Sequence, residues 1–74
     1  MKRFIVGTVI DFDLRVTDFG SLFLQVTIKE TDDAPEVFYI AEGYRAIENV
    51  FKDTGVKSLK ELTGKRVSFE KIGV

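Results

Sequence analysis

The sequence predicts a small α+β domain: an antiparallel sheet with the element order β-β-β-α-β, a long bent first strand and one helix. Apolar residues alternate with polar ones along residues 4–16 and again along residues 22–28, which is the period of half-buried strands. A later segment carries apolar residues at helical spacing. With 74 residues, the chain has room for a single domain, 1–74, with one small core.

The first strand is the longest predicted element. Its even positions are nearly all apolar, so they are predicted to form one buried face: Phe4, Val6, Thr8, Ile10, Phe12, Leu14 and Val16. Thirteen residues at about 3.3 Å each would extend over roughly 40 Å, which is too long for a straight strand in so small a domain. The strand is therefore expected to bend, and Gly7 is the expected position.

A meander follows the first strand. Residues 17–20 predict a tight turn, because Gly20 tolerates the left-handed backbone that hairpins of this length need. Alternation over residues 22–28 gives an antiparallel second strand. The polar segment 29–36, which holds the only proline, predicts a loop, and the apolar run 37–41 predicts a third strand.

The last third contains the helix and the final strand. Residues 43–53 have helical spacing, and Gly55 stands where a C-terminal cap belongs. Ser58 and Glu61 have the spacing of a capping box and predict one short helical turn. Residues 65–72 predict a last strand with Val67 and Phe69 buried. This arrangement is typical of most of an OB-type barrel, so an OB-like partial barrel is expected.

A second set of apolar residues falls on the other face of the predicted sheet. Its members are Ile5, Val9, Phe23, Val37 and Tyr39. One short helix covers one face of a sheet, and monomers rarely expose large apolar patches. Either the sheet curls around one set, or another subunit or a partner protein covers the second. Ile5, Val9, Phe23 and Tyr39, rimmed by Asp11 and Asp13, form the predicted partner-binding surface.

Composition argues against several function classes. The chain has no cysteine and no histidine, so disulfides, thiolate metal sites and the usual neutral-pH general base are all missing. Ser21, Ser58 and Ser68 lack a histidine to activate them. No enzyme, cofactor or metal is predicted. No apolar run approaches the ~20 residues of a membrane span, and the N-terminal segment lacks the features of a signal peptide, so a cytoplasmic protein without membrane contact is expected.

Three aspartates stand close together in the segment DFDLRVTDFG, residues 11–20. Asp11 and Asp13 are two residues apart on a strand and point to the same side, where two carboxylates can bind a hard cation. Asp18 falls at the predicted hairpin, over about 15 Å along an extended strand, and cannot easily join them. The favoured interpretation is a solvated strand face that also carries Arg15.

Charge is unevenly distributed. Residues 1–50 carry nine acidic and five basic side chains, whereas residues 51–74 carry six basic and three acidic ones, within a net charge of −1. The predicted basic edge consists of Lys57, Lys60, Lys65, Arg66 and Lys71. Combined with Phe69, or with Tyr39 on a sheet face, it would suit single-stranded nucleic acid, which binds by charge and stacking.

The segment TGVKSLKELTGKRVSFE, residues 54–70, resembles a recurring segment of small phage and prophage proteins of unknown function. The shared pattern comprises Val56, Leu59, Leu62, Gly64, Lys65 and Val67. The chain lacks the glycine-rich stretch often found mid-chain in those proteins. The resemblance implies a mobile-element accessory protein and gives no catalytic residues to carry over.

The favoured function is a small binding protein that docks on another protein, such as a host factor that it inhibits or regulates, or on its own copy. The alternative is an OB-like module that binds single-stranded nucleic acid through the basic C-terminal third. The two hypotheses differ in which charged residues share a face with exposed apolar side chains.

Overall fold

The computed structural model describes the backbone of residues 2–72 and the side chains of residues 3–70. The chain forms a curled antiparallel sheet, a half-barrel, with one helix. The elements in chain order are β1 (Lys2–Val16), β2 (Leu22–Lys29), β3 (Val37–Glu42), α1 (Tyr44–Thr54), the short 3₁₀ helix η1 (Leu59–Glu61) and β4 (Arg66–Ile72).

The sheet is organised around its longest strand. Along the chain the elements follow the order β-β-β-α-β. Across the sheet the strands lie in the order β3-β2-β1-β4, which differs from their order along the chain. β1 pairs with β4 along Lys2–Thr8 and with β2 along Thr8–Val16. Because the two halves of β1 bond to different strands, β1 connects β4 to the part of the curled sheet formed by β2 and β3.

The alternation of β1 is interrupted by a bulge. Its pairing with β2 shifts between Val9 and Asp11, which leaves Ile10 without a directly opposite residue. A bulge adds one residue to one strand, so the residues that follow it change faces relative to an uninterrupted strand. Val9 faces the core and is 1% exposed, whereas Ile10 is 40% exposed.

The bulge corrects the predicted face of the first strand. The prediction that Phe4, Val6 and Ile10 are buried is wrong, since all three are exposed. Beyond the bulge the even residues do face the inner side and Phe12 packs against the core, but Leu14 and Val16, which were also predicted to be buried, are exposed. The continuous apolar pattern at even positions therefore runs across two different faces of the sheet.

Gly7 lies beside Thr8, the residue at which β1 passes from pairing with β4 to pairing with β2. The irregularity in β1 lies at the bulge, a short distance beyond Gly7. A Cβ atom built on Gly7 would lie 2.3 Å from the Lys29 carbonyl oxygen, so only glycine lets the end of β2 approach β1 this closely. Gly7 thus permits close backbone contact where β1 passes from one partner strand to the other.

The core lies between the inner side of the sheet and the segment from α1 to η1. It joins sheet residues with Ile47 and Val50 of α1 and with Val56 and Leu62 that flank η1. Val67 and Phe69 of β4 are buried, as predicted. Phe69 stacks on Tyr39 with ring centroids 4.3 Å apart, so these two residues join opposite ends of the strand order.

The predicted turn and cap residues are confirmed. Gly20 and Gly55 have positive φ angles of 82° and 74°, and the Gly55 N–H donates to the Phe51 carbonyl oxygen. The capping box of Ser58 and Glu61 is present at η1. These local signals position the helix, and the helix in turn covers the inner side of β2 and β3.

Candidate interaction surfaces

The side of the sheet opposite the core, called the outer face here, keeps exposed apolar side chains. On β3, Phe38 is 49% exposed and Ile40 is 52% exposed. Phe38 pairs with Thr27 and Ile40 with Gln25 on β2, and the same β2 residues pair with Asp11 and Asp13 on β1. The outer face therefore contains two cross-strand rows, each running from an apolar residue to an aspartate.

Charge at the margins of these rows is mostly acidic. Glu42 pairs with Phe23, which in turn pairs with Arg15. Arg15 donates a hydrogen bond from Nε to the carboxylate of Asp13 in the neighbouring row, so its positive charge is partly neutralised. Asp11 and Asp13 thus border the apolar residues as a charged rim, in the positions that the sequence predicts.

The outer face continues along the first half of β1. Phe4 and Val6 are exposed there and pair with Glu70 and Ser68 of β4. Between the two ends, Thr8 pairs with both Lys29 and Arg66, which gives the face one row with two basic members. The outer face therefore has apolar residues at both ends, a mostly acidic margin that also carries Arg15, and a row with two basic residues in the middle.

A second apolar surface is a groove between α1 and the inner side of the β1–β2 hairpin. The groove has a volume of about 210 Å³. Its lining consists of Leu14, Leu22, Tyr44, Ile47, Glu48, Phe51 and Leu59. Glu48 is the single acidic member of that lining, so the groove accepts apolar groups rather than ions.

The predicted partner-binding residues divide between the core and the outer face. Val9 is buried, and Ile5 and Tyr39 pack against the core, so placing these three on an exposed apolar face was wrong. The bulge accounts for Ile5 and Val9, and the stacking on Phe69 accounts for Tyr39. Phe23, Asp11 and Asp13 do lie on the outer face.

Sequence reasoning missed four apolar residues of the outer face: Phe4, Val6, Phe38 and Ile40. The run VFYIA, residues 37–41, is apolar throughout, so its alternation gives no sign of which residues face out. The pairing decides it, because Tyr39 lies opposite the buried Val26. A half-buried tyrosine beside two exposed apolar neighbours is a pattern that only the register reveals.

The predicted basic edge is dispersed over several elements. Lys57 precedes η1, Lys60 lies within it and Lys65 is half-buried before β4. Arg66 is on the outer face opposite Thr8. The side chain of Lys71 lies outside the described residues. Phe69 and Tyr39 stack together against the core and cannot serve as a platform for bases.

The η1 segment has its own local electrostatics. The Glu61 carboxylate accepts hydrogen bonds from the backbone N–H groups of Lys57 and Ser58, at 3.2 Å for Ser58. These bonds, with a smaller contribution from the Lys65 charge, lower the pKa of Glu61 from its usual 4.5. Glu61 therefore holds the start of η1 as an ionised cap.

The described part of the chain also shows two negative features. No group of three or more histidine, cysteine, aspartate or glutamate side chains there could hold a metal ion. None of its helices is long and apolar enough to cross a lipid bilayer.

Comparison with protein-family models, with curated proteins and with solved structures finds no match to this chain. The outer face, the apolar groove and the distribution of charge around them are the features of this chain that bear on its function.

Proposed function

We propose that this chain is a small non-enzymatic binding protein that docks on another protein through its outer face. The observation that carries the proposal is the half-exposed pair Phe38 and Ile40, held at fixed positions in a hydrogen-bonded sheet beside Asp11 and Asp13. Rigid apolar groups with a charged rim are the usual anatomy of a protein interface.

The charges specify the kind of partner. Asp11, Asp13 and Glu42 surround the apolar rows, and Arg15 is engaged with Asp13. A partner surface with an apolar patch bordered by lysine and arginine is complementary to this pattern, and complementary charge speeds association and selects partners. An acidic surface of this kind also competes with nucleic acid for a basic site on a host protein.

The resemblance of residues 54–70 to small phage and prophage proteins supports the same proposal at the level of origin. Accordingly, the proposed role is that of a mobile-element accessory protein that inhibits or regulates a host factor. Val56, Leu62 and Val67 of the shared pattern lie in the core. That segment therefore contributes to the core of this chain, while the outer face is where a specific partner would be selected.

The test is affinity capture from nuclease-treated bacterial lysate with the wild-type chain and two matched variants. Phe38→Ser removes an apolar side chain from the outer face. Phe19→Ser makes the same chemical change at the hairpin tip, where Phe19 is 96% exposed. We expect Phe38→Ser to lose the captured protein and Phe19→Ser to keep it, with both variants folded by circular dichroism.

Charge reversal provides the second arm of this test. Asp11→Lys replaces an acidic rim residue and is expected to weaken capture, and added salt is expected to weaken wild-type capture in the same direction. If Phe38→Ser and Asp11→Lys both retain the captured protein, the outer face is not the docking surface and the proposal is wrong.

The second candidate is an OB-like module that binds single-stranded nucleic acid. Its supporting observation is the half-barrel in which β1 pairs with both β2 and β4, with exposed Phe38 on β3 and a basic row formed by Lys29 and Arg66. OB folds bind oligonucleotides on the face of their second and third strands. The acidic side chains beside Phe38 count against this candidate, because phosphates would approach Asp11 directly.

Binding to labelled oligonucleotides at low salt separates the two candidates, since attraction to phosphates is strongest there. The nucleic-acid candidate predicts binding that falls steeply with salt and that Arg66→Ala weakens. The protein-docking proposal predicts no binding even at low salt.

A further inference from the structure

The second half of β1 has a neighbour on one side only. β4 pairs with β1 no further than Thr8, and its connection ends in backbone bonds between Val9 and residues 64–65. Within the described part of the chain, residues 12–16 are paired with β2 and with no other strand. The side of residues 12–16 that faces away from β2 therefore has no paired strand among the described residues. We call it the open edge.

The hairpin fixes which backbone groups the open edge presents. The Thr17 N–H donates to the Ser21 carbonyl oxygen at 2.7 Å, so residue 17 bonds toward β2. Hydrogen-bonding direction alternates along an antiparallel strand, so Arg15 and Asp13 also bond toward β2. Phe12, Leu14 and Val16 consequently direct their N–H and C=O groups toward the open edge.

The side chains of the same three residues point to the inner side of the sheet, where Phe12 packs against the core but Leu14 and Val16 are poorly covered. Leu14 is 44% exposed and Val16 is 68% exposed. Leu14 also lines the apolar groove with Leu59 and Phe51. Natural edges are usually protected by lysine, proline or a covering element. On its inner side the open edge presents apolar side chains instead, and neither a lysine nor a proline stands in residues 12–16, so it is suited to pairing.

We propose that a second copy of this chain pairs with the open edge, antiparallel and about a two-fold axis at Leu14. Leu14 then lies opposite the partner copy's Leu14, and Phe12 lies opposite the partner copy's Val16. These residues are the ones whose backbone groups face the open edge, so each opposed pair can exchange hydrogen bonds. The apolar side chains meet on the inner side and cover the mouth of the groove.

Charge complementarity identifies the second copy as the occupant. In this register Asp13 lies opposite the partner copy's Arg15, and Arg15 opposite the partner copy's Asp13. A two-fold interface matches each surface with itself. In an antiparallel strand pair the segment therefore lies opposite the same segment in reverse order, and the side chains that meet in this way have to be complementary. The order Phe12-Asp13-Leu14-Arg15-Val16 meets that condition: apolar against apolar on one side, acid against base on the other.

This dimer shares Asp13 with the outer face but uses neither of the apolar residues of β3, Phe38 and Ile40, and so it does not rest on the proposed function. Phe38 and Ile40 remain exposed in the paired state, since β3 lies beyond β2 from the open edge. Strand pairing at a sheet edge draws its affinity from main-chain bonds and its selectivity from alternate side chains. The selectivity here resides in Asp13 and Arg15.

The test is sedimentation equilibrium of the wild-type chain and of charge variants over a range of concentrations. Arg15→Asp places acid opposite acid in the homodimer, and Asp13→Arg places base opposite base. Each like-charge variant is expected to weaken self-association by about tenfold or more, because each two-fold dimer contains the altered pair twice. Both residues are exposed, so the variants are expected to remain folded, and circular dichroism checks this.

Mixing gives the decisive result. An equimolar mixture of Arg15→Asp and Asp13→Arg chains opposes acid to base at both positions, so a heterodimer is expected where neither variant dimerises alone. The double variant Asp13→Arg/Arg15→Asp is expected to regain the wild-type mass. Phe38→Ser is the control and is expected to leave the dimer unchanged.

Three results with the wild-type chain and the charge variants would overturn the proposal. They are a wild-type chain that stays monomeric at several hundred micromolar, a dimer whose dissociation constant is unchanged in both single variants, and a mixture that fails to form the heterodimer. Loss of the dimer in Phe38→Ser alone would instead place self-association on the outer face. That outcome would contradict the open-edge dimer while leaving docking by the outer face standing.

Discussion

The two halves of β1 solve the problem of burial in opposite ways. In the first half, Arg3–Val9, the inward side chains Ile5 and Val9 are covered by the core, and the outward ones, Phe4 and Val6, are apolar and exposed. In the second half, Asp11–Val16, the outward side chains are charged, and the inward ones become more exposed toward Val16. The bulge between Val9 and Asp11 separates these two arrangements.

The difference shows that neighbours, rather than alternation, determine which apolar residues of a strand are buried. The first half lies against β4, whose Val67 and Phe69 are buried, so its inner side is covered. The second half extends past the end of β4, so few neighbouring groups cover the side chains of Leu14 and Val16 on the inner side of the sheet. The chain thus presents apolar surface outward in one half and along its open edge in the other.

The largest expected effect comes from Gly7, which lies where β1 passes from one partner to the other. In Gly7→Ala the added Cβ would overlap the Lys29 backbone, and backbone cannot move aside as a flexible side chain can. We expect a loss of about 3 kcal/mol or more in the free energy of unfolding. Urea denaturation followed by circular dichroism measures it.

Gly20→Ala is the matched control for that loss. Gly20 has a positive φ but open space around the added Cβ, so only backbone strain of about 1–2 kcal/mol is expected. If Gly7→Ala proves no more destabilising than Gly20→Ala, close contact between the two halves of the sheet is not what requires glycine at position 7.

An intermediate effect is expected from threonine substitutions on either side of the bulge. Val9→Thr places a hydroxyl in the core and is expected to cost about 1–3 kcal/mol, whereas Ile10→Thr, at an exposed position, is expected to stay within about 0.5 kcal/mol. Both variants keep a β-branched side chain, so strand propensity is matched. Equal losses, or a larger loss for Ile10→Thr, would mean that β1 has no change of face at the bulge.

Local signals were sufficient to predict the elements themselves. Gly20, Gly55 and the capping box of Ser58 are each determined by backbone chemistry within a few residues, and all are confirmed. The element order β-β-β-α-β follows from these boundaries and from periodicity. Strand order across the sheet does not, because pairing joins residues that are distant in sequence.

The outer face could be predicted only in part, for the same reason. The positions of Asp11 and Asp13 follow from their two-residue spacing and are confirmed. The bulge at Ile10 has no sequence signal, because an unbroken series of apolar residues at even positions gives no sign that the face changes there. Phe38 and Ile40 were missed since the run 37–41 is apolar on both sides and its register depends on β2.

The smallest expected effect concerns η1, whose Leu59 lines the groove beside Leu14 of the second half. Hydrogen bonds from Lys57 and Ser58 lower the pKa of Glu61, so its stabilising contribution is present above 4.5, its value in an unfolded chain, and is lost as pH falls through the folded value. Glu61→Gln keeps an acceptor but no charge. We expect its melting temperature to be lower than wild type at pH 7, with the difference closing below pH 4.5.

The Glu61 experiment discriminates between the two halves of β1 when amide hydrogen exchange is measured alongside melting. Loss of the ionised cap should speed amide exchange at Lys57 and Ser58. Through Leu59, it should also loosen the packing of the groove beside Leu14. The amides of Ile5 and Val9, in the half of β1 beside β4, should stay protected. Glu36→Gln, which removes the same formal charge from the β2–β3 loop, is the control. Faster exchange across both halves of β1 would show that η1 supports the whole core rather than the cover of the second half alone.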